Sequence, residues 1–135
     1  MIEYEGHLSE DRFGELLRLS QNRYARKFLV DSYGNCTCSE GNQRIIVSIA
    51  GTRIRGFFRY AVVRHTFYAR GTWVSKQERR SGLGARLWHR AVSRYPQGSL
   101  TLEVVTTSKG GLNLVRSVKS SFRRVEHWNS GGAEV

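Results

Sequence analysis

At 135 residues, with 39% hydrophobic and 11% aromatic content, the chain is the size of one ordinary domain and can bury a real core. No run approaches the ~18 apolar residues of a membrane span, and the acidic start MIEYEGHLSED lacks the basic-then-apolar order of a signal peptide; a soluble, cytoplasmic protein with no membrane partner is expected. Lys and Arg outnumber Asp and Glu 22 to 11, for a net charge of +11, and 18 of those 22 bases are arginines, whose planar fork suits phosphate and carboxylate.

The charge is uneven. Five acids (Glu3, Glu5, Glu10, Asp11, Glu15) fall in the first fifteen residues, leaving 21 bases against 6 acids over residues 16–135. Solubility alone and a polyanionic partner are both readings of this excess.

In chain order, residues 8–29 place Phe13, Leu16, Leu17, Tyr24 and Phe28 near helical spacing, with Ser9 positioned as an N-cap. Residues 31–43 collect Gly, Asn, Ser and Asp without periodicity and predict an exposed loop. The run RIIVSIAGTRIRGFFRYAVV then predicts two antiparallel strands around a turn at residues 50–52. A third strand is expected over 66–74, with Tyr68, Arg70, Thr72 and Val74 on one face and Phe67, Ala69 and Trp73 on the other. Residues 82–95 return to helical period, with Leu83, Leu87, Ala91, Val92 and Tyr95 as the apolar stripe and Arg86, Arg90 and Arg94 opposite. A strand over 99–105 follows, completing a strand–helix–strand unit with parallel pairing. Leu112, Val115, Val118 and Phe122 predict a short helix, and RRVEHW a last strand.

The order is helix, three strands, helix, strand, helix, strand: a mixed α/β fold in one domain over residues 1–128, with 129–135 a disordered tail. Cys36-Thr37-Cys38 with distant His7 and His65 lacks the paired spacing of zinc modules, so free thiols in a reducing compartment and no metal site are expected.

Chemistry concentrates in V74-S-K-Q-E-R-R-S-G-L-G84, where a strand runs into a helix. Such a junction binds anions: glycines at 82 and 84 let the backbone approach a ligand, the first helical turn has free N–H groups, and Lys76, Arg79 and Arg80 add charge. A purely structural glycine turn is the competing reading.

Arg79-Arg80-Ser81-Gly82-Leu83-Gly84 resembles the Arg/Gln-x-x-Gly-x-Gly/Ala signature of the GNAT superfamily of acyl-CoA-dependent N-acetyltransferases. The flanks agree: a hydrophobic strand ending at Val74, and Leu87-Trp88 beyond Leu83. The resemblance is specific over residues 66–105, reduces to element order over 8–65 and is poor after 106. It implies a central, mixed, mostly antiparallel sheet with flanking helices and an acyl-CoA, most simply acetyl-CoA, held at Trp73, Val74, Arg79, Arg80, Ser81, Gly82, Leu83, Gly84 and Ala85. Pantetheine would lie along the strand ending at Val74, where that strand splays from Leu100–Val105. It also implies direct acyl transfer to an amine, with no covalent enzyme intermediate.

The family's usual groups are replaced. A glutamate base often stands six residues before the position of Val74, and here that residue is Tyr68. A tyrosine acid often stands four residues before a Gly-Phe pair; with Ser121-Phe122 as that pair, the position is Ser117. Tyr68 and Glu103 are the best substitutes, with His65, Ser108 and Ser117 behind them. Three outlines stay open: an acyltransferase acting on or near DNA, RNA or a nucleic-acid-bound protein, a DNA-base modifier resembling the Mom-type phage enzymes, and a non-catalytic binding or inhibitor module of the same fold. Oligomeric state, a dimer included, is not readable.

Overall fold

The computed structural model describes residues 2–7, 14, 18, 23, 26–27, 43–50, 53–105 and 109–128. Six strands form one sheet in sequential order: β1 (Ile2–His7), β2 (Gln43–Ala50), β3 (Arg53–Val63), β4 (Thr66–Val74), β5 (Thr101–Val105) and β6 (Arg124–Trp128). The first four run antiparallel to their neighbours, while β4–β5 and β5–β6 pair in parallel. Helix α1 (Leu83–Val92) crosses from β4 to β5, and α2 (Lys109–Val118) from β5 to β6. Those crossovers are why the last three strands are parallel: a tight turn reverses the chain, whereas a helix returns it to the same end of the sheet.

The sequence reading begins with a helix, but a strand comes first. The segment Ile2–His7 lies at the sheet edge against β2, where only one flank needs a hydrogen-bonding partner, so its short polar and acidic content is tolerated. Gly14, Arg18, Arg23, Arg26 and Lys27 have helical backbone within the expected 8–29 helix. Other residues of that helix, residues 31–42 of the expected loop and the expected tail 129–135 lie outside the described residues.

Both helices pack on the same face of the sheet. Leu83, Leu87, Trp88, Ala91 and Val92 of α1 and Val115 and Val118 of α2 join Ile46, Phe58, Tyr60, Phe67, Leu102 and Val104 in one buried cluster. Aromatic rings dominate its centre, with Phe58 stacked on Trp88 at 4.6 Å and Tyr60 on Phe67 at 4.9 Å between centroids. Tyr95, expected in the α1 stripe, lies beyond the helix end, half-buried and edge-on to Phe67 at 6.1 Å.

The expected division of β4 into two faces is corrected by a β-bulge. Tyr60 pairs with Ala69 and Arg59 with Gly71, so Arg70 is an extra residue without an opposite number on β3. Beyond it the alternation changes phase. Thr72 joins Phe67 and Ala69 on the helix face, where its Oγ1 accepts a 2.7 Å hydrogen bond from Trp88 Nε1; Trp73 turns away and stacks on Phe57 at 6.2 Å. Strict period two cannot anticipate a residue that the ladder skips.

Candidate functional site

The parallel ladder between β4 and β5 ends at Ala69–Val104. Strand β4 continues for five more residues to Val74, while β5 stops at Val105. Over residues 70–74, β4 therefore has no β5 partner on one flank. The two strands part into a cleft of about 740 Å³, walled by β4 and Val104, by the loop and first turn of α1, and by Gly110, Gly111, Asn113 and Leu114 of α2.

Beyond Val74 the chain turns sharply. The Ser75 N–H bonds the Arg55 carbonyl at 2.8 Å, residues Lys76–Glu78 make one 3-10 turn, and Arg79 returns to extended backbone. Two left-handed residues follow close together, Arg80 at φ 70° and Gly82 at φ 81°. For arginine that conformation costs about 1–2 kcal/mol, so surrounding contacts must hold it. They include the Ser81 N–H to the Glu78 carbonyl at 3.2 Å, Arg79 Nε to the Val74 carbonyl at 3.3 Å and Arg86 Nη1 to the Ser81 carbonyl at 3.4 Å. The strongest tie is a two-pronged ion pair, with Arg55 Nε and Nη2 at 3.0 and 2.9 Å from the Glu78 carboxylate. Both side chains are less than one-fifth exposed.

Helix α1 starts at Gly82 with no side-chain cap. By helix geometry its first N–H groups have no carbonyl four residues earlier; only that of Leu83 finds a side chain, a long 3.4 Å contact to Ser81 Oγ. The amides of Gly84 and Ala85 therefore stay available in the cleft, at the positive end of the helix dipole. Position 84 favours a small residue by packing: a Cβ there would lie 3.3 Å from the Leu114 side chain, which would have to shift slightly, and 3.6 Å from Val74, at the junction between β4, α1 and α2. At 82 the demand is conformational, since the space around it is open.

Of the residues expected at the cofactor, Val74, Arg79, Arg80, Gly82, Leu83, Gly84 and Ala85 line the cleft. Trp73 and Ser81 do not: the Trp73 ring packs on the opposite sheet face, and the Ser81 hydroxyl is turned back to the Glu78 carbonyl. The far wall, Gly110, Gly111, Asn113 and Leu114, has little sequence signature. The Gly110-Gly111 pair was its available signal, but nothing local to it states that α2 stands beside α1.

Tyr68 and Glu103 are neighbours across the β4–β5 ladder, one residue short of the cleft walls Ala69 and Val104. Because Leu102 and Val104 point into the helix-side cluster, Glu103 occupies the opposite face, and both it and Tyr68 are half-buried. Glu126, next to Glu103 on β6, is engaged by Arg124 at 2.8 Å. Ser117 stands exposed on α2, its hydroxyl donating to the Leu114 carbonyl at 2.6 Å, and it is not part of the cleft wall. His65 sits exposed in the turn at the far end of β4. Ser108, Cys36 and Cys38 lie outside the described residues. Among the described residues no three His, Cys, Asp or Glu side chains gather to hold a metal, and no helix is long and apolar enough to cross a membrane.

No protein-family model and no curated protein matches the chain by sequence. Its structure is similar to solved acetyltransferases. The ribosomal-protein-S18-alanine N-acetyltransferase from Escherichia coli superposes with a TM-score of 0.57 at 16% identity, over 87% of this chain and 76% of that one. An aminoglycoside acetyltransferase from an uncultured soil metagenomic sample, solved with sisomicin, superposes with a TM-score of 0.56 at 15% identity, over 87% of each chain. At this identity the likeness is one of fold, and the chain has the GNAT fold.

Proposed function

We propose that this protein is an acyl-CoA-dependent N-acyltransferase, with acetyl-CoA as donor and direct transfer to an amine. The observation that carries this reading is the continuity of the cleft: an unpaired flank of β4 leads into a basic, left-handed loop and then into the free amides of α1. A pantetheine arm needs extended backbone to hydrogen-bond, and a pyrophosphate needs converging N–H donors and cations; the cleft supplies them in that order. Arg79 and Arg80, both exposed, stand where phosphate oxygens would be held. The bound thioester would present an activated acyl carbon at the narrow end, beside Ala69 and Val104.

Tyr68 and Glu103 flank that end from the other sheet face, so an acceptor amine approaching there would meet them first. Glu103 serves as the base that takes the amine proton, and Tyr68 as the acid that returns a proton to the departing sulfur. The nitrogen–carbon bond forms as the carbon–sulfur bond breaks, and the thiolate recovers a proton from Tyr68 or from water. Ser108 and Ser117 remain secondary assignments, Ser117 the weaker because its hydroxyl is already engaged by a helix carbonyl.

Thermal stabilisation by acetyl-CoA tests the donor. Millimolar acetyl-CoA should raise the Tm of the wild type and leave Gly82→Asp and Arg79→Glu little changed. A wild type that is not stabilised refutes the reading.

A second observation favours a nucleic-acid-associated setting. Between Arg79 and Arg123 the only acid is Glu103, and it points away from the helices, while Arg86, Arg90, Lys109, Arg116 and Lys119 stand exposed on or just beyond α1 and α2. Helices α1 and α2, which carry cations and no acid in their own sequences, attract a phosphate backbone. RNA or DNA binding should weaken steeply with salt, and charge reversal at Arg86 and Arg116 should flatten that slope; binding independent of salt removes this setting and leaves the acyltransferase reading intact.

A further inference from the structure

The bulge that reverses the faces of β4 also delivers a cation to the narrow end of the cleft. Arg70 is the residue the β3 ladder skips, and it is the first residue beyond the last β4–β5 pair. Its side chain is exposed, it lines the cleft, and its guanidinium carbon lies 4.7 Å from the centre of the Tyr68 ring. Stacking of this kind orients a guanidinium and leaves the N–H fork in its own plane free to donate. Among the described residues no carboxylate pairs with Arg70. Glu103, beside Tyr68 on the next strand, likewise has no cation partner among them.

Tyr68 is thus flanked by a guanidinium along its own strand and a carboxylate across the ladder, neither with an ion-pair partner among the described residues. It stands between Arg70, stacked on its ring, and Glu103, its register partner on β5, at the end of the β4–β5 ladder where the cleft begins. That spacing is complementary to a zwitterion: an ammonium directed to Glu103 and a carboxylate to Arg70. A simple amine would leave the Arg70 fork without a counter-charge, and a polyamine would be repelled by it.

We infer that Arg70 is a specificity-determining residue that binds the carboxylate of the acceptor, and that the acceptor is a small amino acid carrying its carboxylate close to the reactive amine. This rests on the acyltransferase reading above and deepens it. An anion at the same place could also belong to the donor, as the free carboxylate of a succinyl or malonyl thioester. The geometry favours the acceptor, because the Arg70 fork lies over Tyr68 on the face away from α1 and α2.

The test uses the full chain and three measurements. Acetyl-CoA stabilisation is measured first for the wild type, Arg70→Ala and Arg70→Lys, and is expected to persist in all three. Initial rates of thiol release are then measured with the pool of common amino acids, with the corresponding decarboxylated amines, and with acetyl-, succinyl- and malonyl-CoA. Binding of the best amino acid without donor is followed by calorimetry. The wild type should prefer the amino acid over its decarboxylated counterpart at least tenfold in kcat/KM. Arg70→Ala should abolish that preference by raising the amino acid KM and weakening its calorimetric Kd by at least tenfold more than it changes the KM of the decarboxylated amine; Arg70→Lys should restore part of it.

Absence of preference in the wild type, or its survival in Arg70→Ala, overturns the inference while acetyl-CoA stabilisation keeps the acyltransferase reading standing. A preference for succinyl- or malonyl-CoA that Arg70→Ala removes assigns the carboxylate to the donor, and also overturns it. Loss of acetyl-CoA stabilisation in the wild type sinks both.

Discussion

The Arg55–Glu78 pair gives the sharpest test of how the loop proposed to hold phosphate is built, because structure and simple electrostatics predict opposite signs. Glu78 is an acid on the wall of a cleft assigned to polyanionic phosphate. If it acted only through its charge, Glu78→Gln would tighten acetyl-CoA binding. The geometry says otherwise: Glu78 receives two prongs from Arg55 at 3.0 and 2.9 Å, its N–H bonds Ser75 and its carbonyl accepts from Ser81, so it fixes the turn leading into the left-handed residues. Charged hydrogen bonds contribute ~1.5–3 kcal/mol each when well buried. With the two side chains at 16% and 17% exposure, a coupling energy of about 1–2 kcal/mol is expected for the pair in a double-mutant cycle. Urea unfolding of the wild type, Glu78→Gln, Arg55→Met and the double variant measures it. Acetyl-CoA affinity by calorimetry should fall in the order wild type, Glu78→Gln, Arg55→Met, because the last loosens the turn and also leaves a carboxylate uncompensated in the cleft. Tighter binding by Glu78→Gln, or a coupling energy near zero, refutes the structural account of the loop.

Gly82→Ala should cost about 1–2 kcal/mol in urea unfolding, since φ 81° strains any residue with a Cβ although the space around it is empty. Gly84→Val should abolish acetyl-CoA stabilisation while Gly84→Ala retains part of it, because the first methyl already meets Leu114 at 3.3 Å and a branched side chain cannot be accommodated. Leu102→Ala, at a fully buried position under both helices, should destabilise by about 2–5 kcal/mol and lower Tm. Glu103→Gln should lower kcat by 10²-fold or more with acetyl-CoA affinity unchanged; unchanged turnover across the pH range would remove Glu103 as the base.

The loop was legible because its demands are local. A left-handed turn at 82, a close approach at 84 and cations at 79 and 80 are requirements each residue meets within a few positions of chain, so Arg79 to Ala85 reads as a glycine-bearing, basic strand-to-helix turn before any fold is known. The same is true of α1, whose apolar spacing is set by helix period, and of the β4–α1–β5 crossover that follows from it. The sequence reading of the protein as a mixed α/β domain stands on those local signals.

What needed the folded chain was everything that depends on pairing. The bulge at Arg70 exists only relative to β3, and it moved Thr72 to the helix face and Trp73 off it. The edge strand Ile2–His7 alternates Ile2 and Tyr4 with Glu3, Glu5 and His7, but that period spans too few residues to form a strand alone, and β2 beside it completes the pairing. Ser117 can be aligned with a family position, yet its place on α2 turns its hydroxyl to Leu114, whereas Gly110, Gly111 and Asn113 face the cleft without having announced themselves. A side chain's neighbours along the chain are fixed by covalent geometry, and the sequence determined those. Its neighbours across a sheet or between two helices are fixed by register and packing, and only the tertiary structure decided which charges meet at the narrow end of the cleft.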